Sequence, residues 1–211
     1  MKNKKQFTAS CIFLAAFAVW TLAVTTVDVR SIGPEGSSVG FSVINHFIHS
    51  KTGVHWMLYQ LTDWLSLIPA GFITGFALLG FAQWCRRRSL MHVDRSILVL
   101  GIFYLLTGTA YVFFEKWVIN YRPVLIGGVL EASYPSSTTM LVICVMSTAA
   151  MELKNRIQRP GLRKCIIILL ALFTAFMVIG RLISGVHWFT DIIGGILLST
   201  GLVLLYASFA E

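Results

Sequence analysis

"GRLISGVHWFTD", Gly180 to Asp191, separates two runs that contain no charged residue, 165 to 180 and 192 to 210. An ionisable side chain at membrane depth costs about 2.5 to 3.5 kcal/mol on insertion scales. An arginine, a histidine and an aspartate spaced by six and then four residues at such a place therefore need a reason. Ser184 and Gly185 supply the residues of a tight turn. The stretch reads as the connection between two membrane helices, with Arg181 ending the first and His187 beginning the second.

Reading outward, the same pattern recurs along the chain. Uncharged windows occupy residues 6 to 27, 64 to 85, 96 to 114, 132 to 151, 165 to 180 and 192 to 210. Each is close to the ~20 residues a helix needs to cross the hydrocarbon core, the fifth with help from its flanks. The composition agrees: 56% hydrophobic and only 12% charged residues, with a mean hydropathy of +0.77, against roughly 25% charged in soluble domains. The expectation is an all-α, polytopic membrane protein, a single six-span domain over residues 1–211. The first window is longer than a signal-peptide core and lacks a small-residue cleavage site after it, so it reads as an uncleaved span.

The net charge of +8 has a topological origin. With a cytoplasmic N-terminus, the tail, the second-to-third and the fourth-to-fifth connections hold twelve of the seventeen Lys and Arg residues. The positive-inside rule then puts both termini in the cytoplasm, and no nucleic-acid partner is implied. The longest outer connection, Asp28 to Asp63, starts as a Gly/Pro/Ser loop. It then spaces Phe41, Ile44, Phe47 and Ile48 as an interfacial helix would. Its histidines, His46, His49 and His55, lack accompanying carboxylate or cysteine ligands and read as interfacial polar residues rather than a metal site. Pro69 should kink the second span. The four cysteines read as small buried apolar residues, with no metal spacing and no disulfide framework.

Lys116, Arg122 and Arg181, three of the five outer basic residues, fall in the two connections between the last four spans. An anion site needs such a grouping, though each alone could be an interfacial anchor. Pro123, after Arg122, would end a helix leaving the third span. "YPSSTTM", Tyr134 to Met140, has the form of a helix start, with Ser136, Ser137 and Thr138 available to cap free amides or to present them to a phosphate oxygen. His187 and Asp191, four apart on one helix, would share a face. The carboxylate could then hold one ring nitrogen and leave the other as base or nucleophile. A structural pair or two metal ligands would use the same spacing, but no third ligand stands at a suitable interval.

"KWVINYRP", "PSST" and "RLISGVHWFTD" together strongly resemble the three-part signature of the type-2 phosphatidic acid phosphatase superfamily, KxxxxxxRP, PSGH and SRxxxxxHxxxD. The resemblance implies a membrane-integral lipid phosphatase or diphosphatase of the plasma membrane whose site faces outward. Lys116, Arg122 and Arg181 would bind the phosphoryl oxygens with the amides and hydroxyls around Ser136 and Ser137. His187 would form a phosphohistidine while Asp191 orients its ring, with no metal and no cofactor. Two positions depart from the signature. Gly180 replaces the serine before the arginine, and Thr138 replaces the histidine that protonates the leaving group. A general acid is typically worth 10² to 10⁴ in rate, so Thr138 favours a leaving group that needs no proton, such as the lipid monophosphate released from a polyprenyl diphosphate. A phosphotransferase using the same phosphohistidine and a weakly active lipid-phosphate binder are the alternatives.

Overall fold

The computed structural model describes residues 2–210. Eight α-helices follow one another: α1 (Lys2–Thr26), α2 (Ser42–Thr52), α3 (Trp56–Leu65), α4 (Leu67–Arg87), α5 (Arg95–Lys116), α6 (Ser137–Arg156), α7 (Pro160–Ile183) and α8 (Phe189–Ala210). Among the described residues, extended pairing is limited to three isolated bridges, and the fold is all-α as expected. Five helical stretches are long and apolar enough to cross a membrane: Asn3–Thr26, Trp56–Arg87, Arg95–Lys116, Pro160–Ile183 and Phe189–Ala210. The remaining expected span, 132 to 151, becomes α6, and its composition does not meet that standard. The reason is its position. Packed by α4, α5, α7 and α8, α6 buries Thr138, Thr139, Thr148 and Glu152, so its polar groups meet protein partners rather than hydrocarbon.

The centre of the bundle is α8, whose apolar window is 61% buried against 11–22% for the other four. Along it runs α1 in the opposite sense. Ser10 donates to the Gly201 carbonyl (2.7 Å) near one end, and Trp20 Nε1 donates to the Thr190 carbonyl (3.1 Å) near the other. Likewise α5 opposes α6, with Ser96 bonded to Glu152 (3.1 Å) and Tyr104 to Thr148 (3.2 Å). This alternation brings the C-terminal ends of α1, α5 and α7 together with the N-terminal ends of α6 and α8.

The connection after α1 folds across that end as the expected loop, followed by two helices, α2 and α3, where one was expected. Asp28 starts α2 by accepting from Val43 N and Ser42 Oγ, both at 2.9 Å; these bonds, the amide first, hold its carboxyl below the usual value. Polar Ser42 and Asn45 are buried while Val43, Ile44 and Phe47 are exposed, the apolar-outward pattern of an interfacial helix. Asn45 locks α2 to α8, donating to Thr190 Oγ1 (3.0 Å) and accepting from Thr190 N (3.2 Å). Pro69 lies in the first turn of α4 rather than inside a continuous span. Lacking an N–H for the Leu65 carbonyl, it places the break at Ser66, between α3 and α4. Of the cysteines, Cys144 alone is buried and Cys11, Cys85 and Cys165 are exposed, because they lie on outer helix faces.

Candidate active site

The opening stretch folds as a tight turn. The last turn of α7 closes with Ser184 N donating to the Gly180 carbonyl (2.8 Å) and Gly185 N to the Leu182 carbonyl (3.2 Å). Gly185 has φ +69°, and a Cβ there would run into the Gly53 carbonyl, so only glycine both reverses the chain and admits the α2–α3 link. That link braces the turn. His55 N donates to the Ser184 carbonyl (3.0 Å), and His49 Nε2 donates to the Gly185 carbonyl (3.1 Å). Burial holds the His49 ring below its ordinary pKa, the Gly185 bond opposing it.

His187 does not begin α8. Trp188 caps that helix and Asp191, in its first turn, reaches back to accept from Trp188 N (2.9 Å), one half of a capping box. His187 therefore stands ahead of the helix, and the expected face shared with Asp191 is not formed: Nδ1 and Oδ2 are 3.9 Å apart. The gap is bridged. Ser133 Oγ lies 3.0 Å from His187 Nδ1 and donates to Asp191 Oδ2 at 2.5 Å, while Asn120 Nδ2 donates to Asp191 Oδ1 (3.1 Å).

Ser133 and Asn120 reach the site because the α5–α6 connection doubles back. Ile126 and Val129 exchange backbone hydrogen bonds (3.0 Å each) around Gly127 and Gly128, both at positive φ, the turn that suits a hairpin. Arg122 N then pairs with the Glu131 carbonyl, and Ser133 N with the Asn120 carbonyl. Pro123 consequently ends no helix: α5 stops at Lys116, and Pro123 lies in one arm of this hairpin.

Arg122 Nη1 lies 3.2 Å from His187 Nε2. A guanidinium only donates, so Nε2 accepts and carries no proton. Nδ1 is then the protonated nitrogen, donating to Ser133, whose hydroxyl donates in turn to Asp191. Burial first, then the charges of Arg122 and Arg181, hold His187 well below its usual pKa. The ring is a neutral base whose unprotonated Nε2 lone pair is held by a cation that an anionic phosphorus centre would also engage, which releases the nitrogen for attack.

Arg181 is 2% exposed. Its Nη2 donates to Thr138 Oγ1 (2.7 Å) and to Asp63 Oδ1 (3.0 Å), and the Tyr59 ring lies 4.9 Å from its Cζ. Its Nε and Nη1 have no hydrogen-bond partner. Arg122 Nε is also unpartnered, being 3.0 Å from Glu131 Oε2 without being aimed at it. Buried, charged donors without acceptors are costly, and these belong to groups that would meet a phosphoryl anion. The remaining predicted residues differ in placement. Ser136 caps α6 through Thr139 N (3.4 Å) and its amide donates to the Asp191 carbonyl (3.0 Å), so both groups are engaged in holding α6 against α8. The amides of Ser137 and Thr138 have no partner among the described residues. Lys116 is exposed at the end of α5 and takes no part in the hydrogen bonds that join the other cations to His187.

Sequence reasoning missed Ser133, Asn120 and Asp63. The Gly127–Gly128 pair between apolar runs was the signal for the hairpin that delivers the first two; nothing local marks Asp63. Among the described residues no group of three or more His, Cys, Asp or Glu side chains is placed to hold a metal ion.

Comparison with known proteins places this arrangement. The structure is similar to one described as the first transmembrane PAP2 type phosphatidylglycerolphosphate phosphatase from Bacillus subtilis. The two are 20% identical with a TM-score of 0.59 over 94% of this chain and 93% of that one, a likeness of fold. No curated protein matches. The sequence model of the PAP2 superfamily matches residues 70–211, a stretch that contains all three motif segments and more than half of the chain, and the protein belongs to that superfamily.

Proposed function

We propose that the protein hydrolyses a lipid phosphate, with a polyprenyl diphosphate favoured, at the outer face of the plasma membrane through a phosphohistidine on His187 Nε2. The observation that carries this reading is the unprotonated Nε2 beside Arg122, next to the buried Arg181 with two unused donors. The free amides of Ser137 and Thr138 add donors at a helix N-terminus. Around that nucleophile, fixed positive charge and hydrogen bonds would stabilise the phosphoryl group in transfer. With α6 as the sixth crossing, the basic connections and both termini lie at the opposite end, and the positive-inside rule directs the site outward.

The acid position favours a diphosphate, and a neighbouring cavity favours a lipid. At the acid position Thr138 accepts from Arg181, and a threonine hydroxyl is a poor proton donor. An alkoxide has a conjugate acid near water's pKa of about 15.7 and needs that proton, whereas a departing phosphate, with a second ionisation near about 6, does not. A cavity of about 340 Å³ between α4, α5 and α6, lined by Ile73, Leu141 and Val145, reaches Ser137 and Thr138, where an apolar chain can lie beside the phosphoryl group. The test is phosphate release from a panel of lipid mono- and diphosphates, with His187→Ala as control. The expected result is faster release from the diphosphates, abolished by the substitution. Faster hydrolysis of phosphatidic acid overturns the diphosphate preference. Transfer of the phosphoryl group to an added alcohol in place of water marks a phosphotransferase, and binding without turnover marks a carrier.

A further inference from the structure

The two departures from the family signature meet at one guanidinium. Thr138 accepts from Arg181 Nη2, and so does Asp63 of α3, which places a carboxylate beside the hydroxyl that stands where the signature has histidine. Gly180 makes that approach feasible. A Cβ at 180 would come within 2.9 Å of Thr62 Cγ2 and 3.7 Å of Leu58 Cδ1, so the signature's serine would push α3 away. Tyr59, one turn before Asp63, stacks over the same Arg181. Thus α3 is seated on the site by Tyr59 and Thr62, which precede the carboxylate in the same helix. The Asp63 side chain is 60% exposed, uncovered by protein on one side and hydrogen-bonded to a site cation on the other.

We propose that Asp63 is the general base that activates water in the second half of the reaction. This rests on the phosphohistidine reading above. In the first half His187 Nε2 attacks the terminal phosphorus of the lipid diphosphate, a P–N bond forms, the bridging P–O bond breaks, and the lipid monophosphate leaves without needing a proton. In the second half a water oxygen attacks the phosphorus, its proton passes to the Asp63 carboxylate, the P–N bond breaks, and its electron pair returns to Nε2. Asp63 then releases the proton to bulk water through its exposed face. A carboxylate that accepts from Arg181 is set to take a proton rather than give one, so the substitution at 138 removes an acid the first half does not use, while Asp63 supplies the base the second half requires.

The test follows the two halves separately with the full-length protein in detergent and a polyprenyl diphosphate labelled on its terminal phosphate. For Asp63→Asn the first half should run at the wild-type rate, giving a burst of about one equivalent of lipid monophosphate and an accumulated acid-labile phosphoenzyme. Steady-state phosphate release should fall about 10²-fold. Asp63→Glu should retain most of the turnover, and Thr138→His in the Asp63→Asn background should recover it. Unchanged turnover in Asp63→Asn overturns the assignment, and so does an equal slowing of burst and steady state, which marks a residue that merely positions Arg181. Loss of phosphoenzyme from the wild type itself, with turnover indifferent to His187→Ala, removes the phosphohistidine reading and this proposal with it.

Discussion

Two polar clusters occupy opposite ends of the bundle, each with a buried charged residue at its heart, Glu152 in one and Arg181 in the other, and they are finished differently. At the end away from the site, Glu152 accepts from Tyr206 (2.7 Å), Ser96 (3.1 Å) and Arg156 (3.0 Å). Its neighbour Asp94 accepts from Gln83 (2.7 Å), Arg87 (2.9 Å) and Arg156 (3.4 Å), bonds that hold the Asp94 carboxyl below its usual value, the Arg87 bond most of all. Among the described residues, no buried polar side-chain atom of that cluster lacks a hydrogen-bond partner. At the site end the Arg181 guanidinium keeps two buried N–H groups without acceptors and Arg122 keeps one. An unsatisfied buried donor costs about 1–3 kcal/mol, more when charged. The cluster that holds helices together satisfies its members; the cluster around His187 leaves donors of the kind an anion would satisfy.

The contrast is sharpest in substitutions that separate activity from stability. Arg181→Met should lower turnover by about 10²–10³-fold, the usual effect of removing a donor to transition-state charge. Its melting temperature should stay level or rise, since unsatisfied donors leave with it. A melting temperature that falls together with activity would make Arg181 a structural residue and erase the difference between the two ends. Ser133→Ala opens the 3.9 Å gap between His187 and Asp191. It should reduce turnover by about 10-fold or more, within the range of general acid–base effects, with little change in substrate KM. Equal activity would show that the hydroxyl bridge does not orient the ring.

Glu152→Ala reverses the pattern. It strands Tyr206 and Ser96 and should destabilise the protein by about 2 kcal/mol, read by thermal unfolding in detergent, with turnover per folded molecule unchanged. The smallest effect concerns pH. Because burial and two cations depress the pKa of His187 below 6.5, the neutral ring persists to lower pH than a free imidazole. Nitrogen chemical shifts of His187 should therefore stay those of the neutral, Nδ1-protonated tautomer as pH falls through about 6.5. A His187 that titrates as a free imidazole does, near about 6.5, would mean its surroundings are not closed to water.

Much of the architecture was legible along the chain because membrane helices are long, contiguous and separated by charge. The windows at 6–27, 96–114 and 192–210 became α1, α5 and α8 with little adjustment. Where that legibility failed, the cause was contact with other parts of the protein. The composition of α6 is that of a helix surrounded by protein, and Pro69 acted at the α3–α4 junction because the span began earlier than its charge-free window. The spacing of His187 and Asp191 suggested a helical pair, yet the turn at Gly185 left His187 outside the helix.

Local order determined which residues bear charge, which runs are apolar, and the intervals at which Arg122, Arg181, His187 and Asp191 occur, since these are properties of neighbouring positions. Only the tertiary structure decided that Ser133 stands between His187 and Asp191, that Lys116 stays outside the hydrogen-bonded cluster, and that Asp63 reaches Arg181 from 118 residues away. Such contacts depend on how closely helices approach, and a single methyl-sized space at Gly180, filled by Thr62, sets that distance for α3.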